Sequence, residues 1–237
     1  MAEPLVLLPG MMCDARLFTP QIEHLSAAHA VMVAPLAGAS SVTALAAQVL
    51  AQAPPTFALA GLSMGGIVAM EVVKQAPERV RQLALLDTNP LAEPDSRKAI
   101  RAQQISRVKA GELRTIMRDE MKPNYLADGP NTGAILDLCM AMAESLGAEV
   151  FCQQSIALRD RPDQCDTLRT FTRSALVICG EDDQLCPIER HELICDLLPQ
   201  ANLRVIRNAG HLPTLEQPDT VTALLSGWLT DQPIHNG

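Results

Sequence analysis

The sequence predicts an α/β fold: a doubly wound, six-stranded, all-parallel sheet with a helical lid inserted into it. Three observations carry this. Short apolar runs alternate with helical patterns along the 237 residues, the signature of βαβ units. Glycine-bearing turns follow several of those runs, at Pro9-Gly10, Gly61, Gly180 and Gly210. The alternation breaks once, between residues 89 and 172, where helical periodicity continues without a convincing strand.

Taken in order, the apolar runs at 5–8, 31–34, 56–60, 80–86, 175–179 and 203–206 read as strands. Helical patterns fall between them at 17–25, 42–52, 66–75, 188–197 and 220–229. The long interval is punctuated by Gly111, Pro123, Gly129-Pro130 and Gly147, which predicts four or five helices. The chain thus divides into a core, 1–88 and 173–237, and a lid, 89–172. A lid excludes water and shapes the substrate pocket, so Met121, Leu126, Leu138, Met140 and Met142 are candidate lining residues. Methionines at helical spacing also suit a core. Residues 231–237 are expected to fray.

The chemistry is concentrated where runs end. Gly61-Leu62-Ser63-Met64-Gly65 stands between an apolar run and a helical stretch, the context of a nucleophile elbow. A serine on such a turn is strained, and the chain packs closely on both sides, so its flanking residues must lack bulk. The following helix aims N–H groups and its positive end at charge developing beside Ser63. A serine hydroxyl is a weak nucleophile and needs a base, itself held by a carboxylate. His211 follows Asn208-Ala209-Gly210 just past a strand end, and the glycine leaves room for the ring to swing toward the serine. Three carboxylates could orient it: Asp183, Asp182 and Asp87. Asp183 comes first, because Asp182 would point the other way along an extended loop and Asp87 serves only if the acid follows the preceding strand. Ser63, Asp183, His211 is the chain order Ser, Asp, His.

On these motifs, together with Leu7-Leu8-Pro9-Gly10 and Gly180-Glu181-Asp182-Asp183-Gln184-Leu185-Cys186-Pro187, nearly the whole chain resembles the α/β-hydrolases. The likeness is to small lid-bearing serine esterases and acyl hydrolases, including the pimeloyl-acyl-carrier-protein methyl ester esterases. The resemblance selects Asp183, three residues after the glycine and four before the proline. It implies an oxyanion hole from the backbone N–H groups of Met64 and Met11, although Pro9 replaces the histidine usual in the first-strand loop and so removes a side-chain support. It implies that the two additional N-terminal strands of many members are missing. It implies hydrolysis of an ester or thioester through an acyl-enzyme with no metal or organic cofactor. C–C bond hydrolases and perhydrolases share the triad, and a non-catalytic ligand-binding protein on this fold is the alternative of another class.

Bulk properties narrow the classes further. The composition, 48% hydrophobic and 19% charged, is globular. A net charge of -8 and a pI near 5.1 exclude a nucleic-acid partner. No basic n-region and no apolar stretch of membrane-spanning length are expected, which places the protein in the cytoplasm. Seven cysteines without a C-x-x-C pair suit a reducing compartment and read as small buried hydrophobes. His24, His29, His191 and His235 have no motif around them and read as surface residues. Arg97, Lys98, Arg101, Arg107, Lys109, Arg114, Arg118 and Lys122 make the lid's first half basic. A solvated helix face accounts for them. On an acidic protein the same patch also suits an anionic carrier such as coenzyme A or acyl carrier protein.

Overall fold

Six strands alternate with helices in a computed structural model that describes residues 2–230. The expected fraying of 231–237 and the surface position of His235 lie outside the described residues. The strands are β1 (Leu5–Leu8), β2 (Val31–Val33), β3 (Phe57–Leu62), β4 (Val80–Leu86), β5 (Ala175–Gly180) and β6 (Ala201–Ile206). They form one sheet in the order β2-β1-β3-β4-β5-β6, and every pairing is parallel. β1, β3 and β5 are buried along their whole length, because crossover helices cover both faces of a parallel sheet.

The period of two in the strands sorts the core into two layers. Val6, Leu8, Phe57 and Leu59 face the side covered by α2 (Val42–Gln52) and α3 (Met64–Gln75). Leu5, Leu7, Ala58 and Ala60 face α1 (Thr19–Leu25) and the C-terminal helix (Pro218–Leu229). Boundaries differ from expectation where prolines and glycines act. The predicted helix 17–25 is a 3₁₀ turn, Ala15–Phe18, followed by α1, which carries its proline in the first turn. The last helix likewise starts at its proline, two residues early. β6 is two residues longer at its start, and β3 runs to Leu62.

Between β4 and β5 the chain is helical: α4 (Asp95–Lys109), α5 (Leu113–Ile116), a π turn at Met117–Met121, a 3₁₀ turn at Lys122–Asn124, α6 (Thr132–Arg159) and α7 (Cys165–Thr170). Gly147, at φ 82 and ψ 176, breaks α6 into two helices. After β5 come α8 (Ile188–Leu197) and, past β6, α9 (Pro213–Glu216) and α10 (Pro218–Leu229). Register aligns the C-terminal ends of the central strands, with Leu62 opposite Leu86, Leu86 opposite Ile178 and Gly180 opposite Ile206. The loops that follow therefore converge on one edge of the sheet, where open α/β sheets bind ligands.

Candidate active site

Ser63 occupies the step from β3 to α3 with φ 54 and ψ -115, a region that non-glycine residues enter only when the surroundings hold them there. Those surroundings are visible. The Ser63 N–H donates to the Leu86 carbonyl at 2.8 Å, and Thr88 Oγ1 donates to the Ser63 carbonyl at 2.7 Å. A Cβ on Gly65 would lie 2.0 Å from the Leu8 carbonyl oxygen, so the helix start presses against β1 at a distance only glycine permits.

His211 Nε2 stands 2.8 Å from Ser63 Oγ, and His211 Nδ1 stands 2.8 Å from Asp183 Oδ2. The other carboxylate oxygen, Oδ1, accepts N–H bonds from Leu185 at 2.8 Å and Cys186 at 3.1 Å. Burial alone favours the neutral acid at Asp183, but the His211 charge and these donors outweigh it and hold the carboxyl below its usual range. Asp87 lies nearby with the opposite balance. Fully buried and repelled by Asp183, its carboxyl is pushed well above the ordinary range. It accepts one N–H, from Gly180 at 2.8 Å, while Oδ2 has no hydrogen-bond partner. With three donors on Asp183 and one on Asp87, the charge sits on Asp183 and the proton on Asp87. Asp182 is exposed, and the carboxylate bonded to His211 is that of Asp183.

The histidine loop is held from the helical insertion. The His211 N–H donates to the Tyr125 carbonyl at 2.7 Å. Glu216 accepts N–H bonds from Ala127, Gly210 and Leu212 at 2.8, 2.9 and 3.0 Å, although burial still raises its pKa. A Cβ on Gly210 would meet Leu126 and Ala127 backbone atoms at 2.8 Å. Close packing against 125–127, not space for ring rotation, is thus what calls for glycine there.

Met11 and Met64 flank the serine from two sides. Met64 opens α3, and a Cβ on Gly10, next to Met11, would lie 3.6 Å from Ser63 Cβ. Neither methionine's N–H has a hydrogen-bond partner among the described residues, as needed for a pair of free donors. The loop lacks a histidine at Pro9, and its support comes from elsewhere. Buried Gln154, on α6, accepts the Met12 N–H at 2.8 Å and donates to the Leu36 carbonyl at 2.8 Å. No sequence signal marked Gln154, Glu216 or Thr88: Gln154 and Thr88 act across a long stretch of chain, as does the bond from Glu216 to Ala127.

A cavity of about 740 Å³ opens over Ser63 and His211, within the usual range for small-molecule sites. Of the five expected lining residues, Met121 lines it. Leu126, Leu138, Met140 and Met142 do not: they pack into the two core layers, and Met142 Sδ accepts the Asp14 N–H at 3.4 Å. The wall is apolar along Leu62, Ile67, Ile100 and Leu158, and it also carries charge, from Arg97, Arg101, Arg161 and Arg190. His191, expected on the surface, is fully buried. Its Nε2 accepts the Thr88 N–H at 3.1 Å, and burial lowers its pKa to about 4. His24 is exposed and His29 half-buried. All seven cysteines are free thiols: Cys13, Cys139 and Cys179 are buried as expected, whereas Cys152, Cys165, Cys186 and Cys195 are only partly so.

Two trios, Asp87/Cys179/His191 and Asp183/Cys186/His211, bring possible ligand atoms within 4.8 Å of one another. Neither donor set suits a cation. In the first, the acid keeps its proton, burial raises the Cys179 thiol and Thr88 occupies the imidazole nitrogen. In the second, the Asp183 oxygens and both His211 nitrogens are already engaged. No described helix is long and apolar enough to cross a membrane.

Comparison with known proteins places the family and the fold. The sequence profile of the alpha/beta hydrolase family matches residues 5–224. The pimeloyl-[acyl-carrier protein] methyl ester esterase of Xanthomonas axonopodis pv. citri is 27% identical over 97% of this chain and 96% of its own. A bifunctional biotin-biosynthesis protein of Teredinibacter turnerae is 24% identical over 76% of this chain, and the match spans 34% of that longer protein. Among solved structures, a thermophilic esterase from Thermogutta terrifontis with malate bound superposes with a TM-score of 0.90 at 26% identity, covering 98% of this chain and 90% of that one.

Proposed function

The chain belongs to the alpha/beta hydrolase family, and we propose that it is a serine hydrolase cleaving a carboxylic ester of a small-molecule substrate. The observation that carries this reading is the continuous hydrogen-bonded line from Ser63 Oγ through His211 to Asp183, each step 2.8 Å. Ser63 attacks the carbonyl as His211 takes its proton. Met11 and Met64 N–H groups receive the oxyanion, and Asp183 holds the imidazole in the required tautomer and stabilises its charge. His211 then protonates the leaving alcohol, and water releases the acid by the same route.

Residues 1–88 and 173–237 act as the catalytic core and 89–172 as a lid, a division supported by the Tyr125–His211 and Gln154–Met12 bonds from the insertion. The pimeloyl-[acyl-carrier protein] methyl ester esterases among its relatives support ester cleavage. A protein carrier docked on the lid's basic face has less support. Lys98, Arg107, Arg114 and Arg118 are paired there with Asp95, Glu112, Glu144 and Asp119, as a solvated face would have them. Seven free thiols favour a reducing, cytoplasmic setting.

The test is kinetic. Ser63→Ala and His211→Ala should each lower hydrolysis of p-nitrophenyl esters by more than about a thousandfold, with the double variant little worse than either, because the triad acts as a unit. Retention of a tenth of the wild-type rate in Ser63→Ala rejects the serine mechanism.

A further inference from the structure

Charge at the cavity wall does not balance. Four arginines and two glutamates line it, and the carboxylates are already committed. Glu120 is answered by Arg107, which lies outside the lining and also pairs with Glu112, and by Gln104 within it at 3.0 Å. Glu93, buried, uses the single oxygen Oε2 for two guanidiniums: Arg101 Nε at 3.1 Å and Arg161 Nη1. Arg161 is further tied by Nε to the Leu91 carbonyl at 2.9 Å, so it braces the cluster. Arg101 is not used up. Its Nη1 reaches Met11 Sδ at 3.7 Å, and its Nη2 has no partner among the described residues. Arg97 and Arg190 also line the cavity, and among the described residues their side chains have no hydrogen-bond or ion-pair partner.

Arg101 is 13% exposed and Arg161 6%, and burial presses both pKa values down. A guanidinium nonetheless keeps its proton in a protein. Two buried cations against one carboxylate leave a positive charge without a counterion, an arrangement that is costly unless an anion completes it. The uncommitted edge of Arg101 lies against Met11, beside the nucleophile, where a bound substrate would supply that anion.

The geometry points to a carboxylate-binding subsite formed by Arg101 with Arg97 and Arg190, so that the preferred substrate is an ester bearing its own carboxylate. This rests on the ester-hydrolase reading of Ser63. A planar carboxylate matches the two-nitrogen edge of a guanidinium better than a point charge does, and Glu93 with Arg161 holds that edge in place before substrate arrives.

Two substrate pairs test this, each an acid against its neutral amide isostere. Mono-p-nitrophenyl glutarate and p-nitrophenyl 4-carbamoylbutyrate place the group in the acyl half. 4-Carboxyphenyl butyrate and 4-carbamoylphenyl butyrate place it in the alcohol half. The wild type is expected to favour the acid in one pair by at least about tenfold in kcat/KM, and the favoured pair identifies the half. Arg101→Gln should shrink that preference by about tenfold, with part regained in Arg101→Lys. Should Arg101→Gln fail to fold, the Arg97→Gln/Arg190→Gln double variant, which breaks no internal bond, should shrink it by about threefold or more. No preference in either pair, or a preference untouched in the folded variants, overturns the subsite. Hydrolysis of both neutral amides, lost in Ser63→Ala, would in that case leave the hydrolase reading intact. If instead no ester is turned over, calorimetry of glutarate with the wild type and Arg101→Gln decides the matter: binding weakened by the substitution supports the subsite, and no binding overturns it.

Discussion

Replacing Asp183 by Asn changes one oxygen to an NH₂ group, and the structure dictates which one. Asp183 Oδ1 faces two donors, the N–H groups of Leu185 at 2.8 Å and Cys186 at 3.1 Å. An amide nitrogen there would set donor against donor twice, so the Asn carbonyl takes that position and its NH₂ points at His211 Nδ1, formerly 2.8 Å from Oδ2. Nδ1 must then accept, which puts the ring proton on Nε2, directed at Ser63 Oγ 2.8 Å away. The imidazole can no longer take the serine proton. A trapped wrong tautomer of this kind costs about 10⁴-fold in turnover, and we expect a loss of at least about a thousandfold in kcat for p-nitrophenyl butyrate at neutral pH. KM should move little, since Asp183 lies behind the histidine. A folded Asp183→Asn enzyme within about tenfold of the wild type would refute this chain of contacts.

Three further outcomes follow from the same contacts. Gln154→Leu removes the partners of the buried Met12 N–H and Leu36 carbonyl; it should lower stability by about 1–3 kcal/mol in urea unfolding and kcat by about tenfold to a hundredfold through a loosened Met11 donor, with KM nearly constant. Asp87→Asn should alter turnover less than about threefold, since an amide mimics a protonated carboxyl, but it should change how stability depends on pH. Asp87 keeps its proton when folded and loses it near pH 4 when unfolded. Stability of the wild type therefore falls as pH rises above that value, by up to about 1.4 kcal/mol per pH unit from this group, and urea titrations from pH 4 to 7 should show the decline reduced in the variant. Gly65→Ala should yield no folded protein, because its Cβ would sit 2.0 Å from the Leu8 carbonyl, whereas Gly133→Ala, with open space around it, should fold and gain up to about 1 kcal/mol.

What could be read from the sequence was whatever local pattern encodes. β1 and β5 were legible because unbroken apolar runs bounded by turns have few other uses, and the insertion because helical periodicity ran on without a strand. The closeness of Ser63 to His211 was legible because each follows a strand end in a parallel sheet, and parallel register brings those ends together. The choice among carboxylates was harder: Asp87 and Asp183 both follow strands, and in the structure the bond from His211 and the donors around each separate them. Gln154 and Thr88, and Glu216 where it holds Ala127, act over sequence separations that no local pattern reports. His191 looked like a surface residue because a lone histidine without neighbours of its kind has no periodic signature. The apolar lining expected of the lid went into the core, since Met140 and Met142 sit on the buried face of α6, while arginines 101 and 161, from α4 and the loop after α6, reached the cavity.

The most direct measurement is peptide mass mapping after brief exposure to a fluorophosphonate or a slowly released p-nitrophenyl ester, in the wild type and in His211→Ala. The mechanism proposed here predicts one adduct, on the peptide carrying Ser63, formed far more slowly without His211. Cys13 also lines the cavity, but burial pushes its thiol well up and leaves it unreactive. Loss of activity with the adduct on Cys13 or any other residue, or labelling of Ser63 at an equal rate in His211→Ala, would contradict the assignment of Ser63 as the activated nucleophile.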